Sequence, residues 1–289
     1  MTRTKFTLYR PGSTTTTTLT PAWLDIYSQP IGTAEVIARG GVSAGVTGRA
    51  AFHRAQDVRV GDILFEPSSN RSFSVIQIYL KAAQKYALLT EILPPIPDDY
   101  ETGVIEKYWT ETLAGASLFS ILKVTGRLNL AGGPSAAYPS AGSRLTQSIN
   151  GDFDIWTRLE SDAGGGAAIR YPLIGAIDVS GAGAYVGLRN NAAANFVRID
   201  EVSAGSITET LSVAAGGTAG YVRMRRRGIT LHSYYSLSAT PTTEADWAEI
   251  VMPLFPFTSL ATLAVGIFGY CNTGTGSALY WEFLRNWQT

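Results

Sequence analysis

Apolar and polar positions alternate with a period of two through much of this 289-residue chain. That spacing puts successive side chains on opposite faces of a strand. In the first hundred residues, Val58-Arg-Val-Gly-Asp62 running into Ile63-Leu-Phe65 predicts a strand with a turn. Arg71-Ser-Phe-Ser-Val-Ile-Gln-Ile78 predicts a second strand and Tyr86-Ala-Leu-Leu-Thr-Glu-Ile92 a third. Lys81-Ala-Ala-Gln-Lys85 between them is a polar hairpin or a single helical turn, and Gly40-Gly41, Gly45 and Gly48 mark a loop before Arg49-Ala-Ala-Phe-His-Arg54. Short strands at this density predict a small, antiparallel, barrel-like unit.

The remainder is more regular. Strands are predicted at Ser117 to Val124, Asp152 to Glu160, Ala184 to Leu188, Phe196 to Val202, Tyr221 to Arg226, Ile229 to Ser236, Trp247 to Met252, Leu263 to Phe268 and Leu279 to Asn286. Gly164-Gly-Gly166, Gly181-Ala-Gly183, Arg189-Asn-Asn191, Gly216-Gly217 and Asn272-Thr-Gly-Thr-Gly276 separate them. Even spacing of strands and turns predicts an antiparallel β-sandwich of the jelly-roll kind. No amphipathic helix and no long internal repeat is visible. Leu93-Pro-Pro-Ile-Pro-Asp-Asp99 cannot continue a helix or a central strand. The chain therefore divides, on this reading, into residues 1–98 and 99–289. Thr14 to Thr18 reads as low-complexity surface sequence.

Composition narrows the function classes. Lys+Arg and Asp+Glu are both 23, and neither half is basic, so no charge surplus drives nucleic-acid or acidic-membrane binding. Cys271 is the one cysteine, which excludes a disulfide scaffold and a Cys-rich zinc module. His53 and His232 are the two histidines and sit in different halves. No cofactor is expected and no metal site: Asp152 and Asp154 share a strand face, but calcium needs several more oxygen ligands. No apolar leader follows Met1, and Leu260 to Tyr270 falls short of the ~18 residues of a membrane span. The expectation is a soluble chain made in a cytoplasm, with no membrane span.

Residues 111–289 resemble the concanavalin A-like lectin/glucanase superfamily. The resemblance rests on an ordered set: Gly151-Asp-Phe-Asp-Ile155, Ala184-Tyr-Val-Gly-Leu-Arg189 followed by Asn195-Phe-Val-Arg-Ile199, Tyr221-Val-Arg-Met-Arg225 followed by Gly228-Ile-Thr-Leu231 and Tyr234-Tyr-Ser236, then Trp247, Thr262-Leu-Ala-Val-Gly-Ile267 and Ala278-Leu-Tyr-Trp-Glu-Phe-Leu284. It implies a shallow sheet face used for ligands. In Tyr221 to Arg227 the period of two puts Val222 and Met224 toward the core and Arg223 and Arg225 on that face. Arg223, Arg225, Tyr234, Tyr185 and Trp247 are the ligand-binding candidates, for an acidic group or for stacking on sugar rings.

Glu244-Ala-Asp-Trp-Ala-Glu249 matches the E-x-D-x-x-E pattern of the laminarinase-like glucanases of the same superfamily. It follows the turn-forming Pro241-Thr-Thr, however, and is read here as a turn, so no catalytic residue is assigned. Residues 50–95 resemble the small β-barrel head-completion or head–tail joining proteins of tailed bacteriophages, through Val58-Arg-Val-Gly-Asp-Ile-Leu64 and Lys81-Ala-Ala-Gln-Lys-Tyr-Ala-Leu88. Together the two resemblances imply a non-enzymatic structural protein of a bacteriophage virion, made in the host cytoplasm. Its partners would be other virion proteins, copies of itself as a homo-oligomer, and a surface glycan. The alternative is a bacterial carbohydrate-binding module or a β-glucan-active glycosidase.

Overall fold

The computed structural model describes residues 5–13, 15–31, 46–66, 71–92, 96–115, 117–122, 126–132, 143–161, 169–191, 194–203, 206–215, 217–250, 262–271 and 277–287. The expected turns at Gly40-Gly41, Gly45, Gly164-Gly-Gly166 and Asn272 to Gly276, the prolines Pro94 and Pro95, and Thr14 lie outside the described residues. Two compact units form, one of Met1–Ile96 with Glu106–Tyr108, the other of Pro97–Ile105 with Trp109–Thr289. Both are built of antiparallel strands, and no α-helix occurs among the described residues. None of those residues forms a helix long and apolar enough to cross a membrane.

The smaller unit is one sheet of seven strands: β1 (Phe6–Tyr9), β2 (Thr16–Leu19), β3 (Trp23–Ile31), β4 (Val46–His53), β5 (Ile63–Glu66), β6 (Arg71–Lys81) and β7 (Gln84–Ile92). They are ordered β2-β1-β5-β6-β7-β4-β3. Alternate residues supply its core, including Phe6, Leu8, Phe52, Leu64, Phe73, Val75 and Leu89. Of the two readings of Lys81 to Lys85 the chain takes the hairpin, with Ala82 in the left-handed region at φ 52°. The Val58-Arg-Val-Gly-Asp62 turn is pinned by Asp62, which is 1% exposed. Asp62 accepts from Arg10 Nε at 2.8 Å, Arg10 Nη2 at 2.9 Å and the Arg59 backbone N–H at 2.8 Å.

The larger unit holds β8 (Thr110–Thr112), β9 (Leu118–Leu122), β10 (Arg127–Gly132), β11 (Ser143–Ile149), β12 (Phe153–Ser161), β13 (Arg170–Ile177), β14 (Gly183–Asn191), β15 (Ala194–Ser203) and β16 (Ser206–Ala214). It continues with β17 (Ala219–Arg227), β18 (Thr230–Ser236), β19 (Ala248–Ile250), β20 (Leu263–Cys271), β21 (Ser277–Trp281) and β22 (Arg285–Asn286). One sheet runs β19-β18-β17-β12-β21-β10-β9, with β22 paired to β12; the other runs β16-β15-β14-β13-β20-β11-β8. Leu128, Leu130, Ile155, Leu159, Val222, Met224 and Trp281 of the first sheet are buried. So are Ile174, Val186, Leu188, Val265 and Ile267 of the second. Trp281 Nε1 crosses between the sheets to donate to the Leu173 carbonyl at 3.0 Å.

β13 carries no alternation because all eight of its residues are buried. Pro172 cannot donate to a ladder, and the pairing with β14 passes from Arg170–Asn190 to Leu173–Gly187, leaving a gap at the proline. Room on this sheet comes from glycine. An added Cβ on Gly175 would meet Tyr185 Cδ1 at 2.5 Å and Phe268 Cε2 at 3.0 Å.

Candidate functional site

The outward face of the first sheet of the larger unit gathers most of its polar chemistry. Alternation turns Arg127 and Asn129 on β10, Asp154, Trp156, Arg158 and Glu160 on β12, and Tyr221, Arg223 and Arg225 on β17 away from the buried leucines. The antiparallel register sets Trp156 beside Arg223, Arg223 beside Tyr234 and Tyr234 beside Glu249. One step along the strands, Arg158 stands beside Tyr221 and Tyr221 beside Ser236.

Three groups of side chains occupy this face. The first is centred on Arg223, which is 0% exposed. Its Nε and Nη2 donate to Asp154 at 2.6 and 2.7 Å, and its Nη1 and Nη2 donate to Glu244 at 2.7 and 2.9 Å. Arg225 Nε shares Asp154 at 2.8 Å. The Arg223 guanidinium lies 4.9 Å from the Trp287 ring centroid and 5.0 Å from that of Tyr234. Burial opposes its charge most strongly, but the hydrogen bonds to Asp154 and Glu244 outweigh it and hold the proton more firmly than in water. Conversely, the Arg223 hydrogen bond holds the Glu244 carboxyl below the usual range.

The second group is aromatic. Trp156 stacks on Tyr221 at 6.0 Å and an interplanar angle of 30°, and meets Phe283, Trp287 and Trp247 edge-on at 4.6, 5.4 and 6.2 Å. Trp156, Tyr221 and Trp287 are partly exposed, whereas Trp247 is 8% exposed. The third is a charge-neutral square. Arg127 donates to Glu282 at 3.0 Å and pairs with Glu160 at 3.2 Å, while Arg158 Nη1 meets Glu160 at 3.4 Å and also bonds Glu282. These four side chains remain about a quarter to a third exposed.

A half-open cleft of about 430 Å³ adjoins the second and third groups. Arg158, Gly217, Gly220, Tyr221, Ser236 and Ser238 line it, with Leu237 and three alanines. A ring face, two hydroxyls, peptide groups exposed by glycine and one guanidinium suit a ligand that is apolar on one side and rich in hydroxyls on its edges.

The sequence-derived candidates distribute unevenly over this geometry. Arg223, Arg225, Tyr234 and Trp247 sit together on the expected face, but Arg223, Tyr234 and Trp247 are buried among their neighbours, and only Arg225 of the four is partly open. Tyr185 is a correction. It lies on β14 in the other sheet, 0% exposed, its ring meeting Phe268 edge-on at 5.0 Å, and burial pushes its phenol up. Its strand is covered on both faces, so alternation gave no sign of which side was open. Trp156, Arg158, Glu160 and Glu282 were missed, although Trp156 and Arg158 follow Asp154 at the period of two.

The E-x-D-x-x-E residues do not converge. Glu244 opens a 3-10 turn, Glu244–Asp246, and accepts from Arg223, Arg225 and Trp287. Asp246 caps that turn by accepting the Thr242 and Thr243 backbone N–H groups at 2.8 and 2.7 Å, which hold its carboxyl below the usual range. Glu249 bonds His232 Nδ1 at 2.6 Å. Asp152 accepts the Gly228 N–H at 2.7 Å, so the Asp152/Asp154 pair divides between a turn and the two arginines. No group of three His, Cys, Asp or Glu among the described residues is placed to hold a metal ion.

Comparison with known proteins places this arrangement in a fold. No family model matches the chain, and no curated protein does. Among solved structures, the chain is similar to a bifunctional GH43-CE protein of Bacteroides eggerthii, with a TM-score of 0.51, 15% identity, and 85% of this chain and 38% of that one covered. It is similar to the GH43 protein BlXynB of Bacillus licheniformis, with a TM-score of 0.50, 11% identity and 83% and 50% covered. The likeness is one of fold, antiparallel sheets packed as an all-β sandwich. A β-1,3-glucanase of Mycobacterium marinum also matches, at a TM-score of 0.40 and 11% identity, over 67% of this chain and 98% of that one.

The chain thus spans half or less of the length of the two GH43 proteins, and identity this low establishes shared fold alone. The reading as a non-enzymatic virion component is corrected by the two GH43 matches: the fold is shared with glycoside-hydrolase-family proteins, so the exclusion of enzymatic activity does not stand. The head-completion resemblance of residues 50–95 and the expected homo-oligomer receive no support from them.

Proposed function

We propose that the larger unit is a glycan-holding sandwich of a glycoside-hydrolase-type protein, binding a polysaccharide at the Tyr221 cleft. The observation that carries this reading is Tyr221, which stacks on Trp156 and lines a half-open cleft with serine, glycine and arginine walls. Sugar rings offer an apolar C–H face to an aromatic ring and hydroxyls to surrounding polar groups. Arg158 is braced through Nη1 by Glu160 and Glu282, so the cleft meets a positioned guanidinium rather than a mobile charge. Both the Arg223 and Arg127 groups pair cations with carboxylates two for two, which favours a neutral glycan over a uronate or sulfated one. The shared GH43 fold agrees with a role in glycoside hydrolysis.

The test is calorimetric titration of the full chain with soluble xylan, arabinoxylan and β-1,3-glucan, beside a reducing-sugar assay on the same substrates. Binding to at least one of them, weakened about ten-fold by Tyr221→Ala, is expected. Absence of binding and of hydrolysis across all three would overturn the reading.

A further inference from the structure

Asn150 is the one asparagine of the chain that precedes a glycine. Asn150-Gly151-Asp152 joins β11 of one sheet to β12 of the other. Ile149 and Phe153 on either side are 2% and 4% exposed, so both ends of the turn are anchored in the core. Asn150 itself is exposed.

Three features make the Asn150 carboxamide reactive toward its own main chain. Gly151 has no side chain to block the approach, and at its φ of 96° even an added Cβ would meet nothing within 4 Å. The Gly151 N–H belongs to no strand pair and donates to no group among the described residues. Asn150 Oδ1 accepts a hydrogen bond from the Thr262 hydroxyl, which polarises the carbon that a nucleophile would attack. Asn190 differs on the same counts: it is 7% exposed, its Nδ2 donates to Ser161 Oγ at 3.2 Å, and another asparagine follows it.

We propose that Asn150 is a site of self-modification, at which the folded chain loses ammonia and becomes aspartate or isoaspartate. Hydroxide takes the Gly151 amide proton, and the nitrogen attacks Asn150 Cγ to form a C–N bond. The Cγ–Nδ2 bond then breaks, and Nδ2 takes a proton from water and leaves as ammonia. The product is a five-membered succinimide. Water opens it at Cγ to give aspartate, or at the main-chain carbonyl of residue 150 to give isoaspartate. During the attack negative charge gathers on Oδ1, where the Thr262 hydroxyl already donates. Thr262 is thus a positioning residue for this step. Isoaspartate adds one carbon to the main chain between two anchored ends. The misfit falls on Asp152, which holds the neighbouring turn through the Gly228 N–H at 2.7 Å, and from there on the start of β12.

The experiment ages the full chain at mildly alkaline pH, native and in urea, and maps it with trypsin. Arg144 and Arg158 bound a peptide whose one asparagine is Asn150. In the native chain this peptide is expected to split into aspartate and isoaspartate forms, the latter labelled by isoaspartyl methyltransferase, at a rate that rises with pH. Thr262→Val should slow the native conversion roughly ten-fold, less than an enclosed oxyanion donor is worth, and leave the rate in urea unchanged. The aged protein should have a lower urea midpoint, and Asn150→Gln should abolish both the new peptides and that drop. A native chain that keeps Asn150 intact while the chain in urea converts would overturn the proposal. So would a native Thr262→Val variant that converts as fast as the parent or faster.

Discussion

The Arg223 centre yields a stability prediction that also tests why Glu244 is present. Removing Asp154 with Asp154→Ala takes away three charge-assisted hydrogen bonds, two from Arg223 and one from Arg225. Arg223 has no solvent exposure, and its one other carboxylate, Glu244, has a side chain 46% exposed. Stripping one partner from a fully buried ion pair costs ~3–5 kcal/mol, and a surface pair is worth ~0–1 kcal/mol. With Glu244 still in place, the expected loss is about 2–3 kcal/mol. Glu244→Ala, which leaves the buried Asp154 contacts whole, should cost about 1 kcal/mol. For a unit of this size that difference separates the melting temperatures by roughly 2–8 °C. Urea titration followed by tryptophan fluorescence suits the measurement, since Trp156, Trp247 and Trp287 surround the centre. The double variant with Arg223→Met should recover much of the Asp154→Ala loss, because no buried charge is then left unmatched. A Glu244→Ala loss as large as that of Asp154→Ala, or no recovery in the double variant, would refute this account of the centre.

Glu244 and Asp246 both titrate below their ordinary values when folded, so their stabilisation is complete above about pH 4.5 and is lost as pH falls through the lowered values. The urea midpoint of the larger unit should therefore drop between neutral pH and about pH 3, and Glu244→Gln should flatten that drop. In the smaller unit, Asp62→Ala should cost about 2–3 kcal/mol by denaturant titration, since it removes three hydrogen bonds from a buried carboxylate and leaves Arg10 with the exposed Asp57. Ala82→Gly should stabilise the same unit by roughly 0.5–1 kcal/mol, because the hairpin holds position 82 at positive φ; a lower melting temperature would contradict that.

β17 was legible because its two faces differ at their ends: Val222 and Met224 are buried, and Tyr221 and Arg225 partly open. β11 and β13 were not. Ser143, Thr146 and Gln147 of β11 are polar yet buried, and β13 is dry on both sides with a proline inside it. The error at Tyr185 has the same origin, since an aromatic residue between apolar neighbours looks identical whether its far side meets solvent or more protein. Arg223 was placed on the correct face, but the sequence could not show that the Glu244 turn and Trp287 fold back to cover it. Those partners lie 21 and 64 positions further along the chain. Charge pairing across β10, β12 and Glu282 needed the register, which no local pattern contains.

The ring of Tyr185 fills the space where a side chain at position 175 would begin. Inheritance at these two sites is therefore ordered. A lineage could shrink the tyrosine first and enlarge the glycine afterwards, passing through a cavity, whereas the reverse order passes through a steric clash. Homologues should accordingly include pairs in which both positions have changed, or only position 185, and lack those in which only position 175 has grown.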